Sequence, residues 1–319
     1  MRRIWVGSVW FFTFSVMAQT GAYPVKPIRV IIPAAPGGSI DGVMRLLVPK
    51  MTESLGQSVV LESRPGASTN MGNEYVARAP ADGYTLLANT LPLVANVSLF
   101  AKLGYDPEKD YAPICLVATA PSFVAVHPSV PAKSVAEFIN LAKAHPQTVK
   151  YSTSGAGGIT HLSLELLAFK TGTHLVHVPY KGGGPALLAL MSGEVDVSFV
   201  SAIAASGFMD SGRLRLLAVT SAKRLPIFPK LPTVAESGVP DYEFNSWVGV
   251  LAPLQTPVPI VKLLHEHLTR AARAPDIVER FAKDGAVVIA STPEAFKTQV
   301  SQEVALWAKV IRQAGIKAD

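Results

Sequence analysis

Hydrophobic positions in the first part of the chain alternate between short continuous runs and stretches with helical spacing. Residues 30–32 form an uninterrupted β-branched run, which is typical of a parallel strand covered on both faces. Apolar residues then recur at helical spacing from 40 to 51, and Pro49 is expected to kink or end that helix. A second strand is predicted at 59–61, a helix at 74–79 and a third strand at 85–88. This βαβαβ alternation predicts an α/β fold with a parallel sheet.

A second α/β unit is predicted after two apolar runs between residues 111 and 126, which we interpret as a crossover. Ser134 begins a helix, and Glu137 stands at the spacing of a capping box. Residues 246–252 are expected to cross back before a closing amphipathic helix at 294–314. Other strands are predicted near 151 and at 175–178, 196–200, 214–220 and 287–289, with helices at 160–170, 186–191 and 260–272.

Two crossings between two α/β halves predict two lobes around a ligand cleft. Lobe 1 then comprises residues 23–120 and 247–319, and lobe 2 comprises residues 121–246. Because open α/β sheets bind ligands at the carboxyl ends of their strands, the loops that follow the predicted strands form the candidate site.

Three glycine-rich turns, at 33–42, 151–161 and 179–185, each join a predicted strand to a predicted helix. Glycine lets the backbone approach a ligand closely, and the first N–H groups of a helix lack intrahelical acceptors, so such a turn suits an anion. In the first turn Ser39 can cap the helix and Asp41 lies where negative charge is favourable. The pattern is equally consistent with tight packing alone. It is neither a dinucleotide fingerprint nor a phosphate P-loop, because both glycine spacings are absent.

The amino terminus has the three parts of a secretory signal: Arg2–Arg3, an apolar run at 4–17 and the small residue Ala18. We expect cleavage after Ala18, so that residues 1–18 are the signal peptide, with cleavage after Ala22 as the alternative. The run is too short for a good membrane span, although a retained N-terminal anchor stays an alternative. The predicted location of the mature protein is the periplasm.

Composition limits the classes of partner. The 319 residues are 49% hydrophobic, which is enough for a sizeable core. The formal net charge of +6 falls to +4 once the two arginines of the signal are removed. No dense basic block with interleaved aromatics occurs, so nucleic-acid binding is not expected, whereas a mildly positive field favours anionic ligands. Because Cys115 is the sole cysteine, an internal disulfide is excluded. Its apolar neighbours predict that it is a small buried hydrophobic residue.

An ordered set of short motifs spans nearly the whole mature chain. They include Arg64-Pro65-Gly66-Ala67, Val178-Pro179-Tyr180-Lys181-Gly182 and Leu231-Pro232-Thr233, and the others lie at 24–29, 33–41, 82–87 and 217–220. With these motifs the chain resembles the Bug family, the solute-binding proteins of tripartite tricarboxylate transporters. The resemblance implies a type II periplasmic-binding-protein fold, two α/β lobes around a cleft that closes on ligand, and neither catalysis nor a cofactor.

The resemblance also implies a partner and a site. The ligand would be a small organic carboxylate, such as a di- or tricarboxylate, an acidic amino acid or an aromatic acid, and integral-membrane permease subunits would receive it. A monomer is the default for such a shuttling receptor. Family members hold one carboxylate largely with backbone amides at two helix starts, assisted by water. Carried onto this sequence, the first start is Ala35, Gly37, Gly38 and Asp41, the second is Ser154, Gly155, Gly157, Thr160 and His161, and the wall residues are Thr69, Asn70, Thr90, Tyr180, Lys181, Gly182 and Ser201.

The sequence departs from the family pattern at Ser68–Thr69, where Gly-Gly is frequent, so the ligand of a relative cannot be carried over. An enzyme that uses Ser154 or Asp41 with His161 is an alternative, but the glycine positions of a hydrolase elbow hold Ser152 and Ala156. His161 and Glu165 alone make a poor metal site, and no metal is expected. A sensor subunit that presents the ligand to a signalling receptor stays open as a third interpretation.

Overall fold

One long strand connects two sheets in the computed structural model, which describes residues 23–34, 36, 39–155, 157–180, 183–201, 212–283 and 285–316. The strands are β1 (Ile28–Ile32), β2 (Val59–Ser63), β3 (Thr85–Asn89), β4 (Tyr111–Val126), β5 (Lys150–Thr153), β6 (Val176–Pro179), β7 (Val197–Ser201), β8 (Arg215–Val219), β9 (Asn245–Pro253) and β10 (Val287–Val288). The helices within the described ranges are α1 (Ser39–Leu55), α2 (Asn70–Ala77), α3 (Pro92–Leu99), α4 (Val135–Ala144), α5 (Ile159–Thr171), α6 (Gly183–Ser192), α7 (Val258–Ala272), α8 (Pro275–Lys283) and α9 (Pro293–Ala314).

The connecting strand is β4. Its first part pairs antiparallel with β9, from Tyr111 opposite Pro253 to Pro121 opposite Asn245. Its last part, from Ser122, pairs antiparallel with β7 and β8. The first sheet therefore has the order β2-β1-β3-β9-β4 and the second has β4-β7-β5-β6, with β8 and β10 also on β4. This mixed sheet confirms the α/β class, while the residue boundaries of the two lobes stay a prediction.

Each half contains a central strand that lies between two parallel neighbours. β1 lies between β2 and β3 and is parallel to both, and Val30, Ile31 and Ile32 are fully buried, as their continuous apolar run predicts. In the second half, β5 lies between β6 and β7 and is parallel to both. The carboxyl ends of the strands within each group therefore share an edge, and the turns that follow them lie side by side.

Several predicted elements differ from the structure. Pro49 does not end its helix, because α1 continues to Leu55. The polar residues between the two apolar runs do not break β4, because Thr119 to Pro121 continue the ladder with β9. The prediction missed α3 and α8, and α2 begins at Asn70 rather than Glu74. The closing helix is confirmed, and α9 packs against α3 of one half and α5 of the other.

Cys115 is buried, as predicted, and burial raises the pKa of its thiol to about 11. Across the described ranges, no helix combines the length and apolar character that a membrane crossing requires.

Candidate ligand-binding site

The predicted site residues follow the carboxyl ends of the parallel strands in both halves. In the first half these ends are Ile32, Ser63 and Asn89, and in the second half they are Thr153 and Pro179. The structure thus brings each half's candidates to one sheet edge, the position at which open α/β sheets bind ligands.

The first predicted helix start is described only in part. Ala35, Gly37 and Gly38 lie outside the described residues. Asp41 is buried in the first turn of α1, and its Oδ2 accepts a hydrogen bond from Nε of Arg45 at 2.8 Å. A buried carboxylate at a helix N-terminus interacts favourably with the helix dipole. The ion pair with Arg45 on the same helix supports a role for Asp41 in holding this helix start.

The loop between β2 and α2 has an unusual backbone. Ala67, Ser68 and Thr69 have φ values of +46°, +50° and +78°, so three consecutive non-glycine residues occupy the left-handed region. Each such residue costs of order 1–3 kcal/mol and persists only where the surroundings hold it. The loop is therefore strained at Ser68 and Thr69, the two residues at which the sequence analysis expects a departure from the family pattern.

Side chains from α3 and the loop after it hold this strained loop. Nδ2 of Asn96 donates to the carbonyl oxygen of Ser68 and to Oδ1 of Asn70, both at 2.7 Å, and Asn96 is fully buried. The hydroxyl of Tyr105 also donates to Oδ1 of Asn70, at 3.2 Å. The Oδ1 atom of Asn70, a predicted wall residue, therefore accepts bonds within the protein.

The floor behind the loop is a buried polar network. Nδ2 of Asn89 donates to Oδ1 of Asn73, and the hydroxyl of Tyr111 donates to the carbonyl of Asn73 at 2.7 Å. The N–H of Thr90 donates to Oδ1 of Asn89 at 2.7 Å. Oγ1 of Thr90 is buried and has no hydrogen-bond partner among the described residues. Buried polar atoms normally form a hydrogen bond, so the hydroxyl of Thr90 still needs a hydrogen-bond partner.

In the second turn, the amides that precede α5 donate to acceptors within the turn. The N–H of Ser154 donates to Oγ1 of Thr160 at 2.9 Å, and the N–H of Gly157 donates to Nδ1 of His161 at 3.0 Å. The N–H of Gly155 donates to Oγ1 of Thr153 at 3.3 Å. These three N–H groups are therefore already paired, whereas the sequence analysis expects amides that face a ligand.

The first turn of α5 retains donors that lack an acceptor in the helix. The first helical hydrogen bond runs from the N–H of Leu162 to the carbonyl of Gly158, so the N–H groups of residues 159–161 come before the ladder. N–H groups in this position are the donors with which a helix start can bind an anion.

Two histidine rings, a tyrosine and a glutamate lie behind this turn. The rings of His161 and His177 stack with centroids 3.8 Å apart and planes 10° apart. Burial, with a smaller contribution from His177, lowers the pKa of His161 to about 4, and burial also lowers the pKa of His177. Glu165, whose pKa is raised by burial, accepts a hydrogen bond from the hydroxyl of Tyr151. His161 Nε2 lies 3.9 Å from Glu165 Oε1, but a neutral ring forms no ion pair there.

The hydrolase alternative finds no support in this geometry. Oγ of Ser154 lies 3.1 Å from Oγ1 of Thr160, and Nδ1 of His161 is occupied by the N–H of Gly157. A Ser–His pair would need a ring nitrogen of His161 within hydrogen-bond reach of Oγ of Ser154, and no such bond occurs among the described residues.

The third turn supplies fewer described groups. The hydroxyl of Tyr180 donates to Oε1 of Glu194 at 2.7 Å, and burial together with Glu194 raises the tyrosine pKa to about 12. Lys181 and Gly182 lie outside the described residues. Ser201 ends β7 opposite Ser122, and its side chain is not among the described groups.

One contact joins the second turn to the first half. A Cβ atom built on Gly157 would lie 3.2 Å from Cδ1 of Leu99, at the end of α3, and Gly157 has a φ of +68°. Glycine is therefore favoured by the left-handed backbone, and a larger residue would also have to displace the side chain of Leu99 by a few tenths of an ångström. The same helix, through Asn96, holds the strained loop, so α3 contacts candidate groups of both halves.

The site residues predicted from the sequence do not include Asn73, Asn89, Asn96, Tyr105 or His177. The only signal in the sequence is a set of asparagines within apolar stretches, since a buried amide needs partners. Which partners it has depends on the tertiary fold.

The chain is similar in sequence and in structure to proteins of one known family. The model for tripartite tricarboxylate transporter family receptors, TctC, matches residues 43–316. Protein BugT of Bordetella pertussis is 35% identical over 320 residues, covering 99% of this chain and 98% of BugT. The structure of R. palustris Rpa4515 with adipate is 36% identical with a TM-score of 0.79, covering 92% of this chain and 99% of Rpa4515. MatC from Rhodopseudomonas palustris with bound malate is 32% identical with a TM-score of 0.76, covering 91% of this chain and all of MatC.

Proposed function

Because the chain belongs to the family of tripartite tricarboxylate transporter receptors that includes the Bug proteins, we propose that it is an extracytoplasmic receptor for a small organic carboxylate. The observation that carries the proposal is the pair of strand-to-helix turns at the carboxyl ends of two parallel strand groups, one in each half. Two similar proteins hold adipate and malate, which are both dicarboxylates. The turns would hold one carboxylate between the lobes, with residues 23–120 and 247–319 on one side and 121–246 on the other.

The amide donors at the helix starts are sufficient for useful affinity. A helix start contributes about 0.3–1 kcal/mol to a favourable charge when exposed, and up to about 2 kcal/mol when partly buried. Hydrogen bonds to a charged acceptor add roughly 1.5–3 kcal/mol each. Micromolar binding requires about −8 kcal/mol, so several backbone amides and two helix starts reach it without an arginine in the site.

The remaining parts of the proposal concern location and partners. Residues 1–18, or alternatively 1–22, would direct the chain to the periplasm and be removed. The receptor would act as a monomer and deliver its ligand to permease subunits, without catalysing a reaction. The mild positive charge of the mature chain supports the capture of an anion.

Isothermal titration calorimetry of the mature protein against adipate, malate, citrate, glutamate and benzoate tests the proposal. We expect saturable heat with at least one member and a matching rise in melting temperature. The uncharged diamide of adipic acid is the matched control, because it retains the carbon chain and lacks the charge. Absence of heat and thermal shift with the whole panel would contradict the proposal.

A further inference from the structure

Two stacked histidines lie behind the second turn, and their polar contacts go to that turn. His161 belongs to α5 and His177 to β6, and their rings stack at 3.8 Å. Tyr151 of β5 stacks on His177 with centroids 5.0 Å apart. Elements on both sides of the turn thus contribute to one stack of rings.

Each histidine secures a different part of the turn. Nδ1 of His161 accepts the N–H of Gly157 at 3.0 Å. Nε2 of His177 lies 2.6 Å from Oγ1 of Thr153, and the same Oγ1 accepts the N–H of Gly155 at 3.3 Å. Gly155 and Gly157 both have positive φ values, and because glycine has access to many backbone conformations, the hydrogen bonds to these residues help to select this one.

We propose that His161 and His177 are positioning residues for anion capture, in which His161 fixes Gly157 and His177 fixes both Thr153 and the ring of His161. The inference rests on the proposed function. It changes the expected role of His161 from a ligand contact to a support of the turn, and it adds His177, which the sequence analysis does not include.

The protonation state of the pair agrees with this role. A neutral imidazole has one acceptor nitrogen, whereas a protonated ring has none. Because Nδ1 of His161 accepts from Gly157, its proton must lie on Nε2, which faces Oε1 of Glu165 at 3.9 Å. Burial lowers the pKa of both rings, so at pH 7 Nδ1 of His161 is available as the acceptor.

A purely structural role makes a different prediction. Stacked rings that only fill space would tolerate phenylalanine, since it keeps the ring and the contact area. Positioning instead requires the ring nitrogen that makes each hydrogen bond. Asparagine in place of His161 puts the acceptor Oδ1 near the site of Nδ1, and glutamine in place of His177 puts its side-chain amide near the site of Nε2, where it can donate to or accept from Oγ1 of Thr153. At each histidine, the phenylalanine variant keeps the ring and removes the hydrogen bond, and the amide variant keeps the hydrogen bond and removes the ring.

The experiment uses adipate as the probe and measures its Kd by calorimetry at pH 7.5 for wild type, H161F, H161N, H177F and H177Q. Loss of one acceptor for a buried N–H corresponds to about a tenfold loss of affinity, so we expect H161F to bind about tenfold more weakly. H161N should restore binding to within about threefold of wild type. H177F should also weaken binding, by a smaller factor than H161F, and H177Q should restore it.

A ligand-free measurement accompanies the titrations. ¹⁵N NMR should show His161 with its proton on Nε2, and a scalar coupling across the hydrogen bond should link Nδ1 to the amide nitrogen of Gly157. The coupling should weaken in H177F. The inference is overturned if both phenylalanine variants bind adipate like wild type, if they bind it more tightly, or if His161 carries its proton on Nδ1.

Three further outcomes are also decisive. If H161F does not fold, the H177F and H177Q pair decides the inference by the same criteria. If wild type binds neither adipate nor malate while the NMR coupling is present and is lost in H177F, the proposed function loses support and the positioning of the turn stands. If the coupling is unchanged in H177F, the inference fails whatever the protein binds.

Discussion

The second turn, between β5 and α5, and the loop between β2 and α2 are held by different means. The second turn is held mainly by its own helix: Thr160 and His161, six and four residues from their partners, accept the N–H groups of Ser154 and Gly157. The loop of the first half is held from a distance, because Asn96 reaches Ser68 from 28 residues along the chain. The first means requires a local sequence pattern, and the second requires the complete fold of its half.

This difference predicts where substitutions have the largest effect. A locally held turn loses one hydrogen bond when one side chain changes. A loop held by long-range contacts, with three residues in the left-handed region, loses its whole conformation when a support is displaced. We therefore expect the supports of the first-half loop to be the more sensitive set.

The largest effect is expected for Gly72→Ala. A Cβ at this position in α2 would lie 2.6 Å from Cβ and 2.9 Å from Cα of Pro33, and 3.0 Å from the carbonyl oxygen of Arg64. These atoms belong to the turns after β1 and β2, so both turns must move, at a cost of roughly 3 kcal/mol. Urea unfolding measures the change in the free energy of unfolding.

Gly42→Ala is the matched control, because Gly42 also lies in a helix but a Cβ there would meet no atom within 4 Å. It should stabilise α1 by about 0.5–1 kcal/mol. Equal effects of the two substitutions would show that the contact between α2 and the two turns does not matter.

A smaller effect is expected from acidification, and it concerns the second turn. The pKa of His161 in the folded protein is about 4, below its ordinary value of 6.5. Between these values the unfolded chain binds more protons, so stability falls as the pH falls from about 6.5 to 4. The shift corresponds to about 2–3 kcal/mol between pH 7 and pH 4.

The comparison of wild type with H161F isolates this contribution. Glu165 acts in the opposite direction, because burial raises its pKa and it takes up a proton in the folded state first. His177 has a lowered pKa and acts in the same direction as His161. Urea unfolding from pH 7 to pH 4 should show a shallower decline for H161F, and parallel curves for the two proteins would contradict the prediction.

Asn96→Ala tests the distant support of the first-half loop. The substitution removes the donor that Ser68 and Asn70 share and leaves their oxygens without that bond, which costs about 2 kcal/mol of stability. Because the loop would then relax from its left-handed conformation, proteolysis should cut near residue 67 more rapidly. Unchanged proteolysis with reduced stability would mean that the loop does not depend on Asn96.

The locally held turn could be predicted from the sequence, whereas the loop held by distant residues could not. The strand-turn-helix at 151–171 is visible in the sequence because glycine, hydroxyl and histidine stand at short, regular spacing, and α5 confirms the helix. The left-handed run at Ala67–Thr69 has no local signal, because serine and threonine do not favour that region. Likewise β4 continues through Pro121 because β9 pairs with it, a partner more than a hundred residues away.

The smallest expected effect is that of Tyr105→Phe, which sharpens the assignment of Asn96 as the main support. The hydroxyl of Tyr105 donates to Oδ1 of Asn70 at 3.2 Å, while Asn96 already donates to the same oxygen at 2.7 Å. Removing the longer of two bonds to one acceptor should cost about 0.5–1.5 kcal/mol and leave the proteolysis near residue 67 close to wild type. The double variant N96A/Y105F then measures the coupling between the two donors. A loss well above the sum of the single losses would show that either donor can hold Asn70 alone, and that the first-half loop has two supports rather than one.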